Sequence, residues 1–144
     1  MQISHNGLEF VKGNEGYRAQ AYLDGGGVWT IGYGTTRING KPVEAGMTCT
    51  EQEATQWLLS DLADTQTAIN QLVNVPLTQG AYDALCDFVY NVGITAFKNS
   101  TMLKKLDAKD YSGAALEFIR WKYDNGKVVE GLLNRRKREQ EMFK

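Results

Sequence analysis

The sequence predicts an α+β fold with segregated parts, and three observations carry the prediction. Glycine-punctuated alternation falls almost entirely before residue 48, and helix-start signatures at Thr50 and Thr78 each open a run of helical periodicity. A chain of 144 residues with 42% hydrophobic content buries one good core, or two small lobes sharing a helix. One domain is the default.

Each element has a local reason. Asn6 followed by Glu9 resembles a capping box, and Leu8, Val11 and Lys12 keep helical spacing, so a short helix is expected over about 7–15, with Gly16 as its stop. Asp24 then opens a run of three glycines, the composition of a tight hairpin turn. Along 28–34 the alternation puts Val28, Thr30 and Gly32 on one strand face and Trp29, Ile31 and Tyr33 on the other. The segment 37–43 reads as a second hairpin turning at Asn39-Gly40.

Thr50 and Glu53 form a capping box that starts a long helix to about Leu72, with Trp57, Leu58, Asp61, Leu62, Thr65 and Ile69 at near-helical spacing. Pro76 ends that connection. From Thr78 a second helix places Ala81, Leu85, Phe88, Val89 and Val92 on one face before Gly93 stops it, and shorter helices are expected from Ser100, Ser112 and Gly131. No internal repeat or low-complexity tract interrupts the chain.

Charge narrows the function classes. A net charge of −1 argues against nucleic acid as the main partner. The distribution is uneven: residues 49–80 carry four acidic side chains and no Lys or Arg, whereas from residue 81 there are twelve basic and nine acidic ones. The C-terminal part is thus the expected contact for an anionic partner. Cys49 and Cys86 are too few for a disulfide framework and lack metal-ligand spacing, so both are expected to be reduced and structural, with no metal and no cofactor. The N-terminal residues show no basic region followed by an apolar run, and no later segment is apolar enough to span a membrane, so stable membrane insertion is not expected.

The chemistry is concentrated in Glu15, Asp24 and Thr30. Glu15 ends a helix, where the negative pole of the macrodipole disfavours its charged form and suits it to donate a proton. Asp24, in an open glycine turn, is expected to stay ionised and near water. Two carboxyls whose environments pull their acidities apart provide acid and base roles. Thr30 is the one hydroxyl on a small-residue strand face, able to help hold a water beside Asp24. A Glu at a helix end and an Asp before Gly also occur in turns with no chemistry, and the pattern alone leaves that reading open.

The spacing goes further. Glu15-Gly16, then Asp24 nine positions on, then Thr30-Ile31-Gly32 six further, resembles the phage-type lysozymes, glycoside hydrolase family 24. Tyr82-Asp83-Ala84-Leu85, the segment from Phe88 to Gly93, Phe97 with Ser100-Thr101 and Leu103, Trp121, and Gly131-Leu132 with Arg135-Arg136 and Glu139 match in order, so the resemblance covers essentially the whole chain. It looks closest to the lysozymes of lambdoid Salmonella-type phages.

The resemblance implies a single lysozyme domain over 1–144: an N-terminal lobe to about 49, a connecting helix over about 50–73, and a helical lobe over about 74–144, with a cleft between the lobes. It also implies hydrolysis of the β-1,4 bond between N-acetylmuramic acid and N-acetylglucosamine in bacterial peptidoglycan, lysing the host cell. In that scheme Glu15 is the general acid and Asp24 and Thr30 hold the water. Inversion would follow, with carboxyls roughly 6.5 to 9.5 Å apart. It implies a monomer made in the host cytoplasm, acting on the periplasmic wall after release assisted by a separate holin.

Four further residues carry over as substrate contacts, and each has a plainer competitor. Tyr90 and Asn91 equally suit a helix C-terminus, Ser100 is first of all an N-cap, and Arg135 belongs to a basic run of the kind that is usually a solvated face, with Glu139 as an i, i+4 partner. By resemblance, Arg135 approaches the catalytic Glu. Trp29, Ile31 and Tyr33 are expected in the core rather than on sugars, as are Trp57 and Trp121. Two other classes stay in view: a lytic transglycosylase, against which the Asp24/Thr30 pair argues, and a non-catalytic wall-binding module, which would need neither carboxylate.

Overall fold

The computed structural model describes residues 1–144 and divides them into two compact units, one of residues 11–64 and one of residues 1–10 with 65–144.

The first unit is built on short hairpins. Helix α1 (His5–Glu15) runs into it, followed by strands β1 (Arg18–Leu23) and β2 (Trp29–Gly32), which pair antiparallel with Tyr22 opposite Thr30. A second hairpin, β3 (Arg37–Ile38) with β4 (Lys41–Pro42), turns at Asn39 and Gly40, whose φ values of 51° and 78° are those a two-residue hairpin turn demands. Helix α2 (Glu51–Leu72) starts on the expected reciprocal cap: Thr50 N donates to Glu53 Oε1 at 3.0 Å and Glu53 N to Thr50 Oγ1 at 3.1 Å. Val11, Ile31, Tyr33, Val43, Ala54, Leu58 and Leu62 are buried here. Gly32 admits no substitute easily, because φ is +64° and a Cβ would stand 2.9 Å from the Ala54 methyl. Trp29 and Trp57, expected in the core, are only partly buried, while Ile31 and Tyr33 of the same strand face are covered.

The second unit is helical. It comprises α3 (Gln79–Val92), α4 (Ile94–Lys98), α5 (Thr101–Asp107), α6 (Tyr111–Glu117), a 3-10 turn (Phe118–Trp121), a third hairpin β5 (Tyr123–Asp124) with β6 (Lys127–Val128), and α7 (Glu130–Phe143). That hairpin corrects the expectation of helix throughout this region. Its Asn125-Gly126 turn, with φ of 50° and 77°, repeats the signal that revealed the earlier one.

Helix α3 is not the one-faced helix its periodicity predicts. Every residue from Ala81 to Val89 is buried, so it is the central strut of the unit. Phe88 is the hub of this core, edge-on to Phe97, Phe118 and Trp121 at centroid distances of 6.5, 5.2 and 5.7 Å. Two carboxylates lie among these buried positions. Asp83 accepts from Ser4 N at 3.0 Å, from the Ser4 hydroxyl and from Gln79 Nε2 at 2.9 Å. Ser4 in turn accepts the Gly7 amide at 3.0 Å, so Ser4 rather than Asn6 caps the start of α1. A partner 79 positions away selected that cap.

Candidate active site

Glu15, Asp24 and Thr30 fall in one unit. Glu15 is the last residue of α1 and half-buried. Gly16 takes φ +74° and donates its amide to Lys12 O at 2.9 Å, which ends the helix at that carboxyl.

The last turn of α1 is held from below by a polar junction. Lys12 Nζ lies 3.2 Å from Glu51 Oε1 and 5.4 Å from the centre of the Tyr33 ring. The same Glu51 oxygen accepts from Tyr33 Oη at 2.8 Å and from Thr55 Oγ1 at 2.9 Å. These donors, Tyr33 first, then Thr55 and Lys12, hold the Glu51 carboxyl below the usual carboxylate range. Tyr17 completes the cluster, its ring 5.5 Å from that of Tyr33 and its hydroxyl donating to Cys49 O at 3.2 Å. Sequence reasoning missed Glu51. The only signal, four positions between Glu51 and Thr55 at a helix start, is too common to single it out.

Asp24 sits at the exposed β1–β2 turn, and its two oxygens differ. Oδ1 accepts the amides of Gly26 and Val28, both at 2.9 Å. The backbone closes over it, with Asp24 N donating to Val28 O and Gly27 N to Asp24 O, each at 3.0 Å. Neither of those side-chain bonds engages Oδ2, and the residue is exposed. One oxygen builds the turn and the other is available to a ligand or water.

Thr30 is 4% exposed on β2. Its hydroxyl donates to Val28 O at 3.0 Å, so the proton is committed and the oxygen presents lone pairs. Val28 is therefore the link the sequence did not disclose: its amide serves Asp24 and its carbonyl serves Thr30.

The four expected contact residues all lie in the helical unit. Tyr90 is half-buried and Asn91 exposed in the last turn of α3, just before Gly93, whose amide caps onto Val89 O at 2.8 Å. Ser100 is the predicted N-cap: its hydroxyl accepts from Leu103 N at 3.1 Å and donates to Phe97 O at 2.7 Å, and it is buried. Arg135, far from being on a solvated face, is 7% exposed and bonds both oxygens of the fully buried Asp87. Neighbouring Arg136 is wholly buried too, with Nη2 donating to Glu139 Oε2 at 2.8 Å and its guanidinium 5.1 Å from the Phe88 ring centre. Burial, followed by the proximity of Asp87, pushes the Glu139 carboxyl up to about 10. Lys137 and Arg138 alone of the basic run are exposed.

Comparison with known proteins places this geometry in context. Residues 12–139 match the family model described as phage lysozyme. The endolysin of Salmonella phage P22 is 45% identical over 144 residues, covering 99% of this chain and 98% of that protein. Among solved structures, an endolysin from Escherichia coli O157:H7 phage FAHEc1 superposes with a TM-score of 0.94 at 42% identity, covering 99% of this chain and 93% of the other. A mutant of P22 lysozyme gives 0.88 at 43% identity, with 99% and 98% covered.

Proposed function

The chain belongs to the phage lysozyme family and is a peptidoglycan-hydrolysing endolysin, a muramidase, and we propose that Glu15, Asp24 and Thr30 perform its chemistry. The reaction is hydrolysis of the β-1,4 bond between N-acetylmuramic acid and N-acetylglucosamine. Glu15 protonates the departing glycosidic oxygen. Asp24 Oδ2 accepts a proton from the attacking water, and Thr30 Oγ1 accepts its other hydrogen.

The observation that supports this most is the shared use of Val28. Because the Thr30 proton goes to Val28 O at 3.0 Å and Asp24 Oδ1 is tied to Val28 N at 2.9 Å, both groups offer acceptors only. A water donating to two acceptors directs its remaining lone pair outward, towards an anomeric carbon, and attack by water on the face opposite the leaving group inverts the configuration. Tyr90, Asn91 and Arg135 are carried over by resemblance as glycan contacts, as is Ser100, which also fixes a helix start. Residues 1–144 act as one catalytic domain and as a monomer. No helix is long and apolar enough to cross a membrane. Release from the host cytoplasm to the periplasmic wall is assisted by a separate holin.

Digestion of purified peptidoglycan, with the new ends identified by mass spectrometry, tests the reading. Reducing muramic acid ends are expected. Anhydro-muramic ends would replace hydrolysis by transglycosylation, and the absence of new ends would leave a wall-binding protein.

A further inference from the structure

The chemistry above leaves unused a cavity of about 680 Å³ on the helical unit, enclosed by the α2–α3 connection, α6 and the end of α7. Its volume falls among those of small-molecule sites, roughly 300–1,000 Å³. The space exists because α3 and α6 bring short side chains, Ala81 and Ala115, to a point where Leu77, Leu116 and Phe143 also converge. Ala81 and Phe143 are 4% and 6% exposed and form its floor, and Phe143 is held there edge-on to Phe118 at a centroid distance of 5.4 Å. Leu116, 68% exposed, carries the apolar wall out to the rim.

Two hydrogen bonds fix the walls. Tyr111 Oη donates to Pro76 O at 2.7 Å, tying α6 to the α2–α3 connection, and Gln140 Nε2 donates to Ala115 O at 2.8 Å, tying α7 to α6. A site whose walls are already fixed loses little conformational freedom on binding. The polar groups are few. Lys144 is the single charged side chain of the lining, and its Nζ meets the exposed Glu141 at 3.4 Å, a surface contact that water and salt screen. The Thr78 hydroxyl accepts from Ala81 N at 3.1 Å and keeps its proton to donate. The start of α3 and the end of α7 bring helix poles of opposite sign, which offset each other and leave the ammonium as the net side-chain charge. An apolar cavity with a cation and a hydroxyl donor, and no acidic side chain in its lining, complements a chain of methylenes ending in a carboxylate.

We propose that this cavity is a binding site for a single-chain aliphatic carboxylate, its chain against Ala81, Ala115, Leu116 and Phe143 and its carboxylate on Lys144 and Thr78. Such a chain covers apolar surface that Leu116 leaves in water, and a diacyl lipid is too large to enter.

Titration with dodecanoate below its micelle-forming concentration, followed by calorimetry and amide NMR shifts, tests the site. One molecule should bind per chain with a Kd of about 1 mM or tighter, the affinity usual for a ligand of this size. The amides of Ala81, Ala115 and Leu116 should move while those of Gly26 and Val28 stay. Ala115→Phe fills the cavity and should weaken binding about tenfold or more. Lys144→Gln should weaken it about fivefold, and dodecyltrimethylammonium, the same chain with the opposite charge, should bind wild type worse by about the same factor. No saturable binding, shifts confined to other surfaces, or wild-type affinity in Ala115→Phe overturns the site; equal affinity for the two amphiphiles, or an unchanged Lys144→Gln, overturns the carboxylate. Should Ala115→Phe not fold, Leu116→Asp at its exposed position sets a negative charge against the ligand; binding should fall about fivefold, and unchanged binding overturns the site. Attachment to phosphatidylglycerol vesicles without saturable dodecanoate binding would assign this face to a membrane surface and likewise overturns the site.

Discussion

Asp24 and Val28 close the first hairpin against each other, the Asp24 carboxylate accepting the Val28 amide at 2.9 Å while the Val28 carbonyl accepts the Asp24 amide at 3.0 Å. The turn and the proposed base are thus one object. Structure and chemistry separate cleanly in one substitution, because Asn retains an oxygen able to take the Gly26 and Val28 amides but lacks the negative charge. Asp24→Asn should melt like wild type and lose about a hundredfold or more in kcat. Asp24→Ala should lose the same activity and also loosen the turn, which amide exchange at Gly26 and Val28 would register. A charge-free variant with wild-type turnover would remove Asp24 from the base role.

Glu15→Gln keeps the shape of the helix-ending residue and removes its proton. Turnover should vanish while circular dichroism shows the fold retained, since the cap that ends α1 is made by the Gly16 backbone. Appreciable residual cleavage would assign the proton to another group.

Thr30→Glu places a carboxylate where the water is proposed to sit, so a glycosyl adduct should accumulate and appear as added mass on the intact protein. With wild type, NMR of the first product should show the anomer inverted relative to the β-linked substrate. Retention would contradict attack by an Asp24-held water.

The Glu139 carboxyl gives stability a pH dependence of known sign. It is raised from 4.5 to about 10, chiefly by burial and then by Asp87, so across that window the folded chain holds a proton that the unfolded chain has released. Stability from this group is fully present below the unfolded value and is lost as pH rises through the folded one. Glu139→Gln should flatten the decline in urea-unfolding free energy on the alkaline side. An unchanged slope would mean that the proton is not there.

Gly32 and Gly27 separate two costs of adding a methyl group. Both have positive φ, +64° and +78°, but only at Gly32 does a Cβ meet something, the Ala54 methyl at 2.9 Å. Gly27→Ala should cost the left-handed penalty alone, about 1 kcal/mol, and Gly32→Ala roughly 2 kcal/mol or more as overpacking is added. Equal denaturant midpoints would show that α2 yields to the extra methyl.

What the sequence by itself determined is local. The Thr50/Glu53 reciprocal cap, the Asn39-Gly40 turn, the Gly16 helix stop and the Ser100 N-cap each depend on residues within a few positions of one another, so their physics is written in the chain order. The Asn125-Gly126 hairpin was equally local and overlooked beside stronger helical patterns. Tertiary structure decided the rest, because burial of a charge depends on a partner that no window contains. Ser4 displaced Asn6 as the start of α1 because Asp83 reaches it from 79 positions away, and Arg135 left the solvated face because Asp87 meets it from 48 positions away. Thr30 and Asp24 were legible as residue types, but the direction of the Thr30 proton and the division of labour between the Asp24 oxygens follow from where Val28 folds back between them.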